Sequence, residues 1–448
     1  MAGESTLAKA VSVRAREPLA GAYFWVLAFF VLYCARPEDW IPGLSHLHLA
    51  RIVGLFAIVA FVMSVGNIKG RFPKVTTLLI LLLVQLGLAS LFSPVWRGGA
   101  FRTTLAFAKV VLIIMVMAVA VTSLLRLRRL IFVQTVCVAI VAIISIRESH
   151  LVAGRLEGAL NGIYQNPNDL AISIVLTLPF CLMFLLNTPD VFRKIAWAGG
   201  SLLMVYALLR TGSRAGLLAL VVAAGVCLWE FGVKGRRSSL LVFGLAAMAL
   251  LFLFAGARVM RRFSNTTEYN GDAADYQSAQ LRKGLLIRSL KVTLEHPLFG
   301  IGPGNFPVIS GAWEETHDVY TEFSAEGGIP ALVLFLLVYW SALTQLGEVR
   351  RLTANQPEMN MPAAASRAGL IAFAVAAFFY PDAYQFFLYF VLSYATALHE
   401  IVLKRGAAEV QKEENTKAPV AQWTIAARTN GLPPASQALP VNLRGGRS

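Results

Sequence analysis

Twelve apolar runs, too many and too long for the core of a water-soluble protein, decide what this chain can become. They fall at about 21–35, 52–65, 76–92, 104–125, 130–146, 170–186, 195–209, 215–229, 240–255, 329–346, 370–379 and 386–399. A helix needs about 20 residues to cross a bilayer, so the shorter runs must extend into their polar flanks. Hydrophobic residues make up 57% of the chain and charged ones 15%. The expectation is an all-α polytopic membrane protein with about twelve transmembrane helices, each satisfying its own backbone polar groups. Residues 1–18 hold Lys9, Arg14 and Arg16 and resemble a signal-peptide flank. No small-x-small cleavage site precedes the polar residues 36–40, so the first run reads as a retained span.

The formal net charge of +15 would suit nucleic acid, but much of it sits in short loops between runs. Retention on the cytoplasmic side and contact with anionic lipid account for it there, and no nucleic-acid partner is expected. Cys34, Cys137, Cys181 and Cys227 lie in separate runs without a CxxC pair, so they read as small buried hydrophobes. No HExxH or comparable metal-ligand spacing occurs, and no metal or cofactor is expected.

Basic turns orient the spans. Residues 67–74, 126–129, 192–194, 233–237 and 348–352 are rich in Lys and Arg and alternate with poorer turns near 93–103 and 380–385. The positive-inside rule assigns the first set to the cytoplasm. The resulting division is a cytoplasmic N-terminus (1–18), nine spans (19–256), a large periplasmic loop (257–328), three further spans (329–399) and a cytoplasmic tail (400–448) whose composition reads as disordered. On this topology residues 147–169, 210–214 and 257–328 share the outer side. They are candidates for one site.

Within 147–169, Asn166-Pro167 signals a turn, and Asn168 or Asp169 can cap the following span. The competing reading is that Asn166, Asn168 and Asp169 bind sugar hydroxyls. Arg210 and Arg214 stand on the outer side against the charge rule and could face the same way if their turn stays helical. They either snorkel at the interface or clamp phosphate oxygens with planar donor forks. Ser213 would begin a helix whose N-terminus adds an anion-binding field.

In the long interval, Arg258, Arg261 and Arg262 read as neutralising lipid headgroups. Arg282 begins a stretch with Leu281, Leu285, Leu286 and Leu290 at helical spacing, a helix lying on or tucked into the bundle. His296 then reads as a cap or packing residue, and Asn305 closes the glycine-rich loop as a further substrate contact. His317 is the main base candidate, with Glu314, Glu315, Asp318, Glu322 and Glu326 near it in sequence. If 318–326 is helical, Glu322 and Glu326 share a face.

Taken together, "YQNPNDLAISI", "RTGSRAGLLAL", "HPLFGIGPGNF" and "THDVYTEFSAEGGIPAL" resemble the O-antigen ligase and polysaccharide polymerase superfamily of multispan inner-membrane glycosyltransferases. The resemblance implies that Arg214, Arg282 and His317, the last in a His-x9-Gly arrangement ending at Gly327, are the functional residues. Leu286 and Ile287 stand where an aromatic is usual after the loop arginine. The early "ARPEDWIPGL" is similar to a subgroup linked to exopolysaccharide or protein glycosylation. The resemblance implies transfer of a glycan from an undecaprenyl-diphosphate donor to a saccharide, glycolipid or protein acceptor on the periplasmic side, without nucleotide-sugar or metal. Ligase and polymerase share this chemistry and both stay open. A lipid-linked glycan flippase would use the same arginines, but no internal repeat or mid-membrane ionisable cluster marks the sequence as a transporter.

Overall fold

The computed structural model describes residues 19–41, 43–64, 72–148, 151–152, 155–156, 164, 166–242, 244, 273–381 and 383–429. Apart from one antiparallel pair of two-residue strands, Leu151–Val152 and Arg155–Leu156, its regular structure is helical. Ten helices among the described residues are long and apolar enough to cross a membrane, and Leu49–Met63 is apolar but shorter. The expected span at 240–255 lies outside the described residues beyond its first turn. So do Arg258, Arg261 and Arg262, the N-terminal residues 1–18 and the end of the tail.

In chain order the helices are α1 (Ala20–Ala35), α2 (Pro37–Trp40), α3 (Leu49–Ser64), α4 (Lys74–Leu91), α5 (Arg97–Ala120), α6 (Leu124–Glu148), α7 (Pro167–Asn187), α8 (Val191–Thr211) and α9 (Arg214–Cys227). Then come α10 (Ala273–Glu295), α11 (Phe306–Ser310), α12 (Val319–Leu352), α13 (Pro357–Ala376) and α14 (Phe386–Thr429). Helix α7 packs against α8, α9 and α13, and α12 packs against α4, α13 and α10. Successive spans run in opposite directions, so the turns after α4, α6, α8 and α13 gather at one end with α10–α11. We call this the loop end.

Sequence chemistry sets the helix boundaries. The Asp190 carboxylate accepts from Arg193 N at 2.9 Å and caps α8, and Asp318 accepts from Thr321 N at 2.9 Å and caps α12. The apolar run expected to end at 125 instead breaks after Ala120. No Gly or Pro marks that break; buried Arg126 does the work, its Nη1 donating to Ala120 O at 2.8 Å at the end of α5.

Two further expectations change. Helix α12 is 34 residues long, roughly 50 Å at helical rise, and runs through the expected loop boundary at 328. Gly328 (φ 79) kinks it there. The tail, expected to be disordered, is helical as far as Thr429. Residues 400–429 belong to a second unit (400–448) of the chain. Their Ala, Glu, Lys and Val content and the i,i+4 pairs Lys404–Glu400 and Arg405–Glu409 favour a polar helix that a composition argument reads as disorder.

Candidate active site

The first half of the site is the meeting of two helix N-termini. Asn166 caps α7 by accepting from Asn168 N at 2.9 Å, with Pro167 at the first helical position. Helix α8 ends on Gly212 in the left-handed region (φ 60), and Ser213 then caps α9 by accepting from Gly216 N at 3.1 Å. The Ser213 hydroxyl also donates to Asn168 Oδ1 at 2.7 Å. A Cβ on Gly216 would lie 2.6 Å from Ala171 Cβ, so the glycine is what lets α7 and α9 touch. Both positive helix ends therefore point to one place, with half-buried Arg214 in the first turn of α9.

The break at Gly212 also separates Arg210 from Arg214. The turn is not helical, so the same-face pairing considered from sequence does not form. Arg210 instead bonds Tyr206 Oη at 2.8 Å and lies over its ring on the outer face of α8, as a snorkelling side chain does. Asn166, Asn168 and Ser213 spend these polar atoms on capping and on joining two helices.

The second half is the loop between α10 and α11, seated on the kink of α12. Ile301 N and Gly302 N donate to Ala325 O and Glu326 O, both at 2.9 Å. Buried Glu326 accepts from Gly304 N at 2.8 Å, Phe306 N at 3.1 Å and Tyr384 Oη at 2.9 Å. Its neighbour Glu322, also buried, accepts from Ala383 N at 3.2 Å. Asn305 Nδ2 reaches Ser93 Oγ, Trp96 O and Ile301 O at 2.9–3.1 Å, which ties the α4–α5 turn to this loop. Gly327 leaves no room for a side chain, since a Cβ would meet Leu86 Cδ2 at 2.8 Å.

His317 stands one residue before the Asp318 cap, with φ 56 in the left-handed region that non-glycine residues rarely occupy. Its Nδ1 is buried without a hydrogen-bond partner, and Nε2 lies 3.7 Å from Glu314 Oε2. Burial, and then the nearby Arg282 guanidinium, pull the imidazole down to about 4. It is therefore neutral near pH 7. Glu315 is exposed as a residue, but its carboxyl is partly desolvated and lies beside Glu314, which holds it above the usual range. Glu315 is also close enough to Asp169 and Glu326 for their charges to interact, so it bridges the two halves.

Residues 199–336 match the family model described as O-Antigen ligase. The match covers under a third of the chain's 448 residues. No curated protein matches the chain. The matched segment contains Arg210, Arg214, Arg282 and His317, whereas Asn166, Asn168 and Asp169 come from the start of α7 outside it.

The candidate site also draws on residues that sequence reasoning passed over. Tyr380 donates to Asp169, and both line a narrow cleft with Ser173, Phe373 and Gln385. The cleft's open volume of about 10 Å³ has room for roughly one water. Tyr384 belongs to the same short turn and carried no motif. Gln85 did carry a signal, as a lone amide within an apolar run; its Nε2 donates to Leu298 O at 2.8 Å and Gly327 O at 2.9 Å. A wider groove of about 860 Å³ runs along α10, past Gln280, Gly284, Arg288, Lys291 and His296. Among the described residues, no three His, Cys, Asp or Glu side chains are grouped to hold a metal ion.

Proposed function

We propose that the chain transfers a glycan from undecaprenyl diphosphate to an acceptor hydroxyl on the periplasmic side of the inner membrane. The observation that carries the reading is a partly buried His317, its Nδ1 without a hydrogen-bond partner, within electrostatic reach of Arg282 inside the segment that matches the O-antigen ligase model. The acceptor oxygen bonds to the anomeric carbon as the bond from that carbon to the diphosphate oxygen breaks. The electron pair leaves on the polyprenyl diphosphate, and the acceptor proton passes to His317. Arg282, Arg214 and the two helix N-termini oppose the negative charge that grows on the leaving oxygen. A diphosphate beside Arg282 would also offset the cation that depresses His317, making the imidazole a stronger base once donor is bound. Asn168, Asp169, Ser213, Asn305, Glu322 and Glu326 support the site as the frame that holds these groups, and Arg210 stands at its outer edge.

The test is single-turnover transfer by purified protein in lipid with a lipid-linked donor. Arg214→Ala and Arg282→Ala should each lose about 10²–10³-fold while keeping a monodisperse gel-filtration profile. His317→Gln should lose about 10²–10⁴-fold with donor affinity retained. Unchanged transfer in Arg282→Ala, or donor that crosses the bilayer without being cleaved, would overturn the reading.

A further inference from the structure

Helix α10 carries three different surfaces around its axis, at about 100° per residue. One is docked: Leu285, Ser289, Val292 and Thr293 are buried, packed with Ile301, Phe306 and Ala325, and Arg282 shares this sector. A second carries the polar side chains of the groove, Gln280, Arg288, Lys291 and Glu295, with Leu281 and Ile287 at its two borders. The third is apolar and exposed. Leu286, Ile287, Leu290 and Leu294 fall within a sector of roughly 100° that has Lys283 as its one charge, and Leu298 continues it beyond the helix. Leu294 and Leu298 are 78% and 64% exposed.

The anchoring of Leu298 tells what medium this surface meets. Gln85, which holds Leu298 O, lies six residues before the end of the α4 span, roughly 9 Å along its axis. Ile329 N donates to Pro297 O at 2.8 Å, so Leu298 adjoins the α12 break. Ile329 and Val333 of α12 and Leu81, Val84 and Leu88 of α4 are likewise exposed and apolar. The α10 surface is thus continuous with the outward faces of two spans.

The hydrogen bonding at the break fits the same medium. Ala325 O, Glu326 O, Gly327 O and Ile329 N all find partners within the chain. Hydrocarbon and protein interior both demand that, because neither offers a broken helix other partners, whereas water would.

We infer that α10 is an interfacial helix seated in the leaflet at the loop end, with Leu286, Ile287, Leu290, Leu294 and Leu298 against acyl chains and the groove turned to water. Lys283 extends its stem over this surface and carries its charge to anionic headgroups, while Lys291 stays on the groove side beside Glu295. If the proposed transfer reaction is right, the seat also holds Arg282 at the level of a lipid-borne diphosphate.

Spin labels on single cysteines in the full chain, reconstituted in nanodiscs containing anionic lipid, test the inference without reference to activity. The native cysteines are all buried and stay unlabelled. Labels at Leu290→Cys and Leu294→Cys should relax faster with oxygen than with a water-soluble nickel chelate, as a label at Val333→Cys does. A label at Glu295→Cys should show the reverse preference. If the Leu290 and Leu294 labels behave like Glu295, the face meets water; if they are shielded from both reagents, protein covers it. Either result overturns the inference and leaves the transfer reaction to be judged by its own assay.

Discussion

Two glutamates buried near opposite ends of the bundle are stabilised by contrasting partners. Glu230, in a π-helical turn that continues α9, is bonded by Arg350 Nη1 and lies 3.5 Å from Arg367 and 3.7 Å from Lys234. Glu326, at the loop end, is held by two backbone amides and a tyrosine hydroxyl. Charge meets charge at the first and neutral donors serve the second. A buried ion cluster is intolerant of losing one member, because the others are left uncompensated, whereas a carboxyl satisfied by neutral donors depends on hydrogen-bond geometry. Glu326 is therefore satisfied without drawing on an arginine, and the loop-end cations are not committed to it.

This contrast is broken or sharpened by substitution. Glu230→Gln should have the largest effect, destabilising by about 3 kcal/mol, read as a lowered melting temperature in detergent. That is the low end for a broken buried pair, because Arg367 and Lys234 keep partial contact with water. Glu326→Gln should cost about 1–2 kcal/mol, since one acceptor oxygen survives. If Glu326→Gln proved the more damaging, the division between charged and neutral satisfaction would fail.

A smaller effect concerns protons. His317 titrates near 4 in the folded protein against about 6.5 in an unfolded chain. Between those values the unfolded state binds more protons, so the His317 contribution is constant above about pH 6.5 and stability falls as pH drops toward 4. Arg282→Gln removes a neighbouring cation and should raise the pKa of His317. Carbethoxylation of His317, followed across pH by peptide mass, should show its midpoint moving up, and an unmoved midpoint would separate the two residues. The smallest effect is expected for Arg210→Ala, within about 0.5 kcal/mol of wild type as a surface change and with transfer retained. A loss as deep as that of Arg214→Ala would return Arg210 to the site.

Most span positions were legible because each apolar run must be long enough to cross a bilayer and close its own hydrogen bonds, and both demands act locally. Capping was legible only in part: a helix start at Ser213 was expected and holds, but the α7 cap is Asn166 and not Asn168 or Asp169, and the Asp318 cap was not foreseen. The end of α5 was not, since it depends on the long side chain of Arg126 folding back onto Ala120 O.

Tertiary structure alone decided which polar residues hold the frame and which remain for chemistry. Glu326 and His317 are both site candidates in sequence, but partners from distant segments make the first a support for the 301–306 loop and leave the second with an unpaired buried nitrogen. Likewise Arg210 and Arg214, four residues apart, go to different surroundings because Gly212 breaks the helix between them. Local pattern determines where a helix starts and which face is apolar. What a buried polar atom does depends on the groups that arrive from elsewhere in the chain, and only the folded packing of α4, α7, α9 and α12 specifies those.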